Sequence, residues 1–149
     1  MNEKPPLANK TAVVTGASRG VGKGIAIALG EAGATVYVTG RTRGDHDRTI
    51  DTTASLVTAA GGKGIPIQVD HAADNQIEQL FETIKKEHTG IDILVNNVFK
   101  IPKSPAWTGG FWEHPLQIWD DQVGIGLRAH YVASWYAAPL LLNKPNSMI

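Results

Sequence analysis

Thr15-Gly16-Ala17-Ser18-Arg19-Gly20-Val21-Gly22 has the makings of a phosphate cradle, with three glycines and a cation in eight residues. Glycine permits positive φ and lets a backbone approach a ligand with no Cβ in the way. The apolar run before it, Ala12 to Thr15, suits a strand buried on both faces. After it, Val21, Ile25 and Leu29 recur every fourth residue, as on one face of a helix. A helix N-terminus carries unpaired N–H groups and partial positive charge, so the joint is suited to a pyrophosphate. A Walker loop is excluded: five places before Gly22 stands Ala17, and Gly24 follows Lys23. G-x-G-x-x-G fails as well, because Ile25 stands three places after Gly22.

Two arginines bear on the choice of ligand. A second strand, Ala34 to Thr39, ends in Gly40-Arg41, with no acid before Asp45. An acid there would hold a ribose 2′-hydroxyl, whereas arginine accommodates a 2′-phosphate. Arg19 and Arg41 are either two cations converging on one phosphate or two solvated surface arginines. Asp70, after the third strand, is a candidate cap for the turn that follows.

The pattern T-G-x-x-x-G-x-G between strand and helix resembles the coenzyme loop of the short-chain dehydrogenase/reductase family. The resemblance implies a coenzyme site at Gly16, Ser18, Arg19, Gly20, Val21, Gly22, Arg41, Asp70 and Asn96. It implies NADP(H), with NAD(H) as the alternative, from the basic residues at 19 and 41. It also implies that Asp70 reaches the adenine amino group. Asn96-Asn97-Val98-Phe99 stands where the family has Asn-Asn-Ala-Gly, and Asn96 inherits the role of supporting sheet and coenzyme. The aromatic run Phe111-Trp112-Glu113, with Trp119-Asp120-Asp121 and His130-Tyr131, narrows the resemblance to the branch of dehydrogenase/reductase family member 1.

Two departures stand out. Gly126 occupies the place where the family carries an Asn that holds a proton-relay water. The family's catalytic Tyr is followed four residues later by Lys. Here Arg41, Trp135 and Leu140 stand four places after Tyr37, Tyr131 and Tyr136. No catalytic residue is therefore assigned. The resemblance implies the coenzyme-binding part of a carbonyl or alcohol oxidoreductase lacking its Ser-Tyr-Lys part. The alternatives are a non-catalytic NAD(P)-binding module and a non-functional truncated product.

The elements that must position these residues alternate strand and helix, which predicts a parallel sheet covered on both faces. A helix is expected over 48–60, with Ile50, Ala54 and Val57 on one face and Gly61-Gly62 ending it. Strand three, 64–69, contains Pro66 and should be an edge, as the order 3-2-1-4 requires. A helix over 75–88 buries Ile77, Leu80, Phe81 and Ile84, with a capping box of Asn75 and Glu78. Strand four is 91–96. A long loop, 97–114, places Trp107, Phe111 and Trp112 either along an apolar substrate cleft or in packing. A helix from Leu116 to Leu142 carries Trp119, Val123, Leu127, Tyr131 and Ser134 on one stripe, which could meet the sheet or a second copy. Met148-Ile149 begin a fifth strand. The expected fold is α/β, a Rossmann-like doubly wound sheet truncated after four strands and the start of a fifth. The 149 residues form one incomplete dinucleotide-binding domain. An open fourth strand should expose Ile93, Leu94 and Val95 and leave the chain prone to association.

Composition closes off other classes. Apolar residues make up 42%, enough for a core, and the formal net charge is zero, which offers nothing to a nucleic acid. There is no cysteine, so no disulfide or thiolate metal site exists. His46, His71, His88, His114 and His130 show no i, i+4 pairing, and no metal is expected. Glu113-His114 are neighbours in a loop, better suited to solvent than to acid/base chemistry. No apolar run approaches a membrane span and no signal core precedes the first strand, so the expected location is the cytoplasm, away from membranes.

Overall fold

The structure, a computed structural model, describes residues 4–102 and 108–149. Strands β1 (Thr11–Val14), β2 (Thr35–Gly40), β3 (Lys63–Gln68) and β4 (Ile93–Val95) form one sheet in the order β3-β2-β1-β4. Every pairing is parallel, with Ala12 opposite Val36 and Ile93, and Pro66 sits on the edge strand as expected. Met148 adds a single parallel bridge to Ile93, the start of a fifth strand.

Helices α1 (Gly20–Glu31) and α2 (Ile50–Ala59) cover one face. Helix α3 (Asp74–Glu87) and the long C-terminal helix cover the other. Strand side chains alternate between faces. Val13, Tyr37 and Leu94 therefore pack with α3, while Ala12, Val14, Val36 and Val38 pack with α1 and α2. Ile77, Leu80, Phe81 and Ile84 are buried as their spacing predicts, and so are Ile50, Ala54 and Val57.

Four expectations need correction. The fully buried face of α1 is Gly22, Ala26 and Gly30; of the apolar stripe, Ile25 and Leu29 pack partly buried beside it and Val21 is 73% exposed. The helix lies so close to its neighbours that a Cβ at Gly30 would stand 2.8 Å from the Val57 carbonyl oxygen. Contact there selects small residues ahead of hydrophobic ones. Helix α3 begins at Asp74 with no side-chain cap, so the Asn75–Glu78 box does not form. Instead Gln76 Oε1 accepts the Asp70 amide at 2.8 Å, and Asp70 Oδ1 accepts that of Ala72 at 3.0 Å.

The long helix is three pieces: α4 (Gln117–Asp121), a π-helical segment (Gln122–Arg128) and α5 (Ala129–Leu141). A π turn holds an extra residue and rotates everything after it. The expected stripe therefore divides. Ser134 faces β4 through Asn96, whereas Trp119, Leu127 and Tyr131 are exposed. Last, β4 does not bare its side chains. Leu94 is buried, and Ile93 and Val95 pack against the α1 side. An open strand edge exposes backbone in the plane of the sheet, whereas its side chains point above and below it.

Candidate functional site

The turn after β1 is held by β4. Thr15 Oγ1 accepts the amides of Asn97 (2.9 Å) and Val98 (3.1 Å), and Asn97 Nδ2 donates to the carbonyls of Thr15 and Gly16, both at 2.9 Å. Asn97 ties the turn to β4, while Asn96 ties β4 to the C-terminal helix. Strand parity explains the difference: Asn96 shares a face with Leu94 and donates to Ser134 Oγ at 2.9 Å, and Asn97 shares the face of Ile93 and Val95. Asn96 Oδ1 is buried without a partner.

The glycines serve separate ends. Gly16 has φ +67, and a Cβ there would come within 2.7 Å of Val98 Cα. A Cβ at Gly22 would overlap the Asn97 side-chain amide and stand 2.5 Å from the Gly16 carbonyl oxygen. These two are small because the turn presses on protein. Gly20 has φ +58 and open space where a Cβ would lie, so it is the one that leaves room above the turn. No side chain caps α1, so its first-turn amides are left open at that place.

Above the C-terminal ends of the strands lies a cavity of about 660 Å³, within the usual range for small-molecule sites. It brings together Gly16, Ser18, Arg19, Arg41 and Asp70. Gly20, Val21, Gly22 and Asn96 do not line it; they belong to the turn and to the helix and strand behind it. Asp70 closes the turn at Ala72 and also lines the cavity.

Residues that the spacing did not single out complete the wall. Thr42, His46 and Arg48 come from the loop after β2, and Phe99 and Lys100 from the segment after β4. Asp120, Asp121, Gly124 and Arg128 come from α4 and the π segment. Lys100 is paired with Asp121 at 2.6 Å, and Arg128 makes a bidentate pair with Asp74, both bonds 2.6 Å.

His71, beside Asp70, is buried on the cavity floor. Thr39 Oγ1 donates to the Val14 carbonyl, so it accepts from His71 Nε2 at 2.9 Å, which fixes the Nε2–H tautomer. Burial pushes the His71 pKa down to about 4, assisted slightly by His130 and opposed by Asp70.

The aromatic loop behaves otherwise than a cleft wall. Phe111 and Trp112 stack edge-to-face on each other, are 84% and 75% exposed, and do not line the cavity. Trp107 lies outside the described residues. Glu113 is occupied locally, accepting the Gly110 amide at 2.7 Å, and makes no pair with His114. Among the described residues no three His, Asp or Glu side chains are grouped to hold a metal ion, and no helix is long and apolar enough to cross a membrane.

Comparison with known proteins agrees with this architecture. The family described as short chain dehydrogenase matches residues 10–149. Dehydrogenase/reductase SDR family member 1 of Mus musculus is 41% identical over 147 residues, covering 97% of this chain and 46% of that protein. Hydroxysteroid dehydrogenase-like protein 2 of Danio rerio is 38% identical over 146 residues, 96% of this chain and 34% of its own. A short-chain dehydrogenase/reductase structure from Serratia marcescens superposes with a TM-score of 0.78 at 34% identity, covering 91% of this chain and 52% of that one. A short chain dehydrogenase from Mycobacterium thermoresistibile gives a TM-score of 0.83 at 30% identity, over 95% and 50%. The chain spans less than half the length of these curated relatives. With the glycine turn, the sheet order and the match in agreement, the chain belongs to the short-chain dehydrogenase family.

Proposed function

We propose that this chain is the coenzyme-binding part of an NADP(H)-dependent oxidoreductase acting on small carbonyl or alcohol substrates. One observation carries the coenzyme preference: Arg19 and Arg41 line the same cavity, neither has a side-chain partner among the described residues, and no acid follows β2 before Asp45. A guanidinium matches a phosphate with parallel hydrogen bonds, which a ribose hydroxyl does not repay. The open amides of α1 and the space above Gly20 fit a pyrophosphate, and Asp70 fits an exocyclic amine acting as donor. A bound nicotinamide would supply the hydride. The residues of this chain would orient it and select the phosphate.

Calorimetric titration with NADPH and NADH tests the reading. Charge-assisted contacts worth about 1.5–3 kcal/mol predict at least about tenfold tighter binding of NADPH. Arg41→Asp should reverse the order, and equal affinity for the two coenzymes in the wild-type chain would sink it. The position of the aromatic loop yields a companion expectation. Trp112→Ala, at a residue that does not line the cavity, should leave NADPH affinity within about twofold, or ~0.4 kcal/mol. A tenfold loss would place Trp112 in the site after all.

A further inference from the structure

We infer that Arg48 is a third cation of the phosphate subsite and sets the strength of 2′-phosphate recognition, an inference that rests on the coenzyme reading above. The chain has five arginines. Arg43 is paired with Asp51 at 2.6 Å and Arg128 with Asp74 at 2.6 Å. The other three, Arg19, Arg41 and Arg48, have no side-chain partner among the described residues, and all three line the one cavity. Unpaired cations gather there and nowhere else among the arginines.

Their placement follows from the topology. Arg19 stands in the turn after β1, and Arg41 and Arg48 open and close the loop after the adjacent β2. Three acids share the wall: Asp70, which follows β3, and Asp120 and Asp121 from α4, of which Asp121 is ion-paired with Lys100. An anion bound at this end of the cavity would be attracted by guanidinium groups that no carboxylate holds by a hydrogen bond. Ser18 and Thr42 on the same wall add hydroxyl groups.

The loop is held in shape without a ligand. Lys23, on α1, donates to the Asp47 carbonyl at 3.1 Å and to its carboxylate at 2.9 Å. Asp51 accepts from Arg43 and from the Gly44 amide, and Thr49 caps α2 through the Thr52 amide. Asp47 is the chain neighbour of Arg48 and the nearest carboxylate in sequence that could neutralise it. Lys23 hydrogen-bonds that carboxylate and is the main cause of its lowered pKa, with Arg48 and His46 adding a weaker attraction. The clamp therefore leaves Arg48 without a hydrogen-bonded carboxylate and open to the cavity. Lys23 is a positioning residue, and Arg48 makes the contact.

The test titrates the intact chain with adenosine 2′,5′-bisphosphate and with adenosine 5′-monophosphate, which differ by the 2′-phosphate alone. The wild-type chain is expected to prefer the bisphosphate by about tenfold or more. Arg48→Ala should weaken the bisphosphate about fivefold to tenfold and leave the monophosphate within about twofold, and Arg48→Lys should recover part of the loss. The side chain is exposed, so melting curves of all three proteins should coincide. Equal binding of both nucleotides by the wild type would overturn the coenzyme reading and this inference with it. Preserved discrimination in Arg48→Ala would overturn the inference alone. An equal loss for both nucleotides would also overturn it, by showing that Arg48 supports the loop and not the phosphate.

Discussion

NADPH mixed with this chain and a panel of aldehydes and ketones is expected to be oxidised no faster than in buffer. A carbonyl accepting hydride needs a proton donor within hydrogen-bond reach, a contribution of about 10²–10⁴ in rate. None of the three tyrosines can serve. Tyr37 is locked into the core, bonded to Glu87, and burial together with that carboxylate raises its pKa far above the working range. Tyr131 is exposed on α5, and Tyr136 packs against the α3 side. None lines the cavity, and none has a Lys four residues later. Two titratable groups of the cavity wall are committed elsewhere: Lys100 is ion-paired, and His71 is neutral, with its one N–H given to Thr39. Turnover above the buffer control would overthrow the assignment of no catalytic residue to this chain.

Acidification should destabilise the chain well before its carboxylates titrate, because of His71. Its folded pKa, about 4, lies below the ordinary 6.5. The neutral form is the one the fold accepts, so the stability it lends is complete above pH 6.5. Below that, the unfolded chain takes up a proton that the folded chain refuses until about pH 4. The loss over this window is about 3 kcal/mol, a large share of the ~5–15 kcal/mol of an ordinary domain. Denaturant melts of the wild type and of His71→Gln at pH 7.5 and pH 4.5 isolate the effect. The variant removes this titration and leaves the other four histidines in place. The wild type should lose about 2–3 kcal/mol more than the variant between the two conditions. Parallel losses would show that His71 is hydrated or protonated in the fold.

Legibility varied with the physics behind each signal. Ile77, Leu80, Phe81 and Ile84 were readable because a helix with one wet face must sort its residues by hydrophobicity. Pro66 marked the edge strand because proline cannot donate to a ladder. Helix α1 was legible in part: Ile25 and Leu29 pack against the core, but contact too close for side chains selects Gly22, Ala26 and Gly30, which carry little hydrophobic signal. Asn96 and Asn97 are alike in chemistry, and strand alternation counted from Leu94 sends them to opposite faces, one to Ser134 and the other to the turn. The π segment was not legible because Trp119, Val123, Leu127 and Tyr131 keep an unbroken i, i+4 spacing through it, and spacing carries no mark of the extra residue in the turn. Arg48 and His71 reach the cavity through tertiary placement, which no local spacing announces.

The bonds between Asn97 and Thr15 join residues 82 positions apart. A chain made at ~5–20 residues per second therefore extends for roughly 4–16 s between the synthesis of the glycine turn and that of the side chain that closes it. During that interval β1 can pair with β2 but lacks its other neighbour, and the turn has no floor. On the proposed coenzyme reading, a nucleotide would meet a finished turn only once β4 has been made and docked. It would then consolidate a sheet whose central pairing is already complete and would not template the earliest steps of assembly.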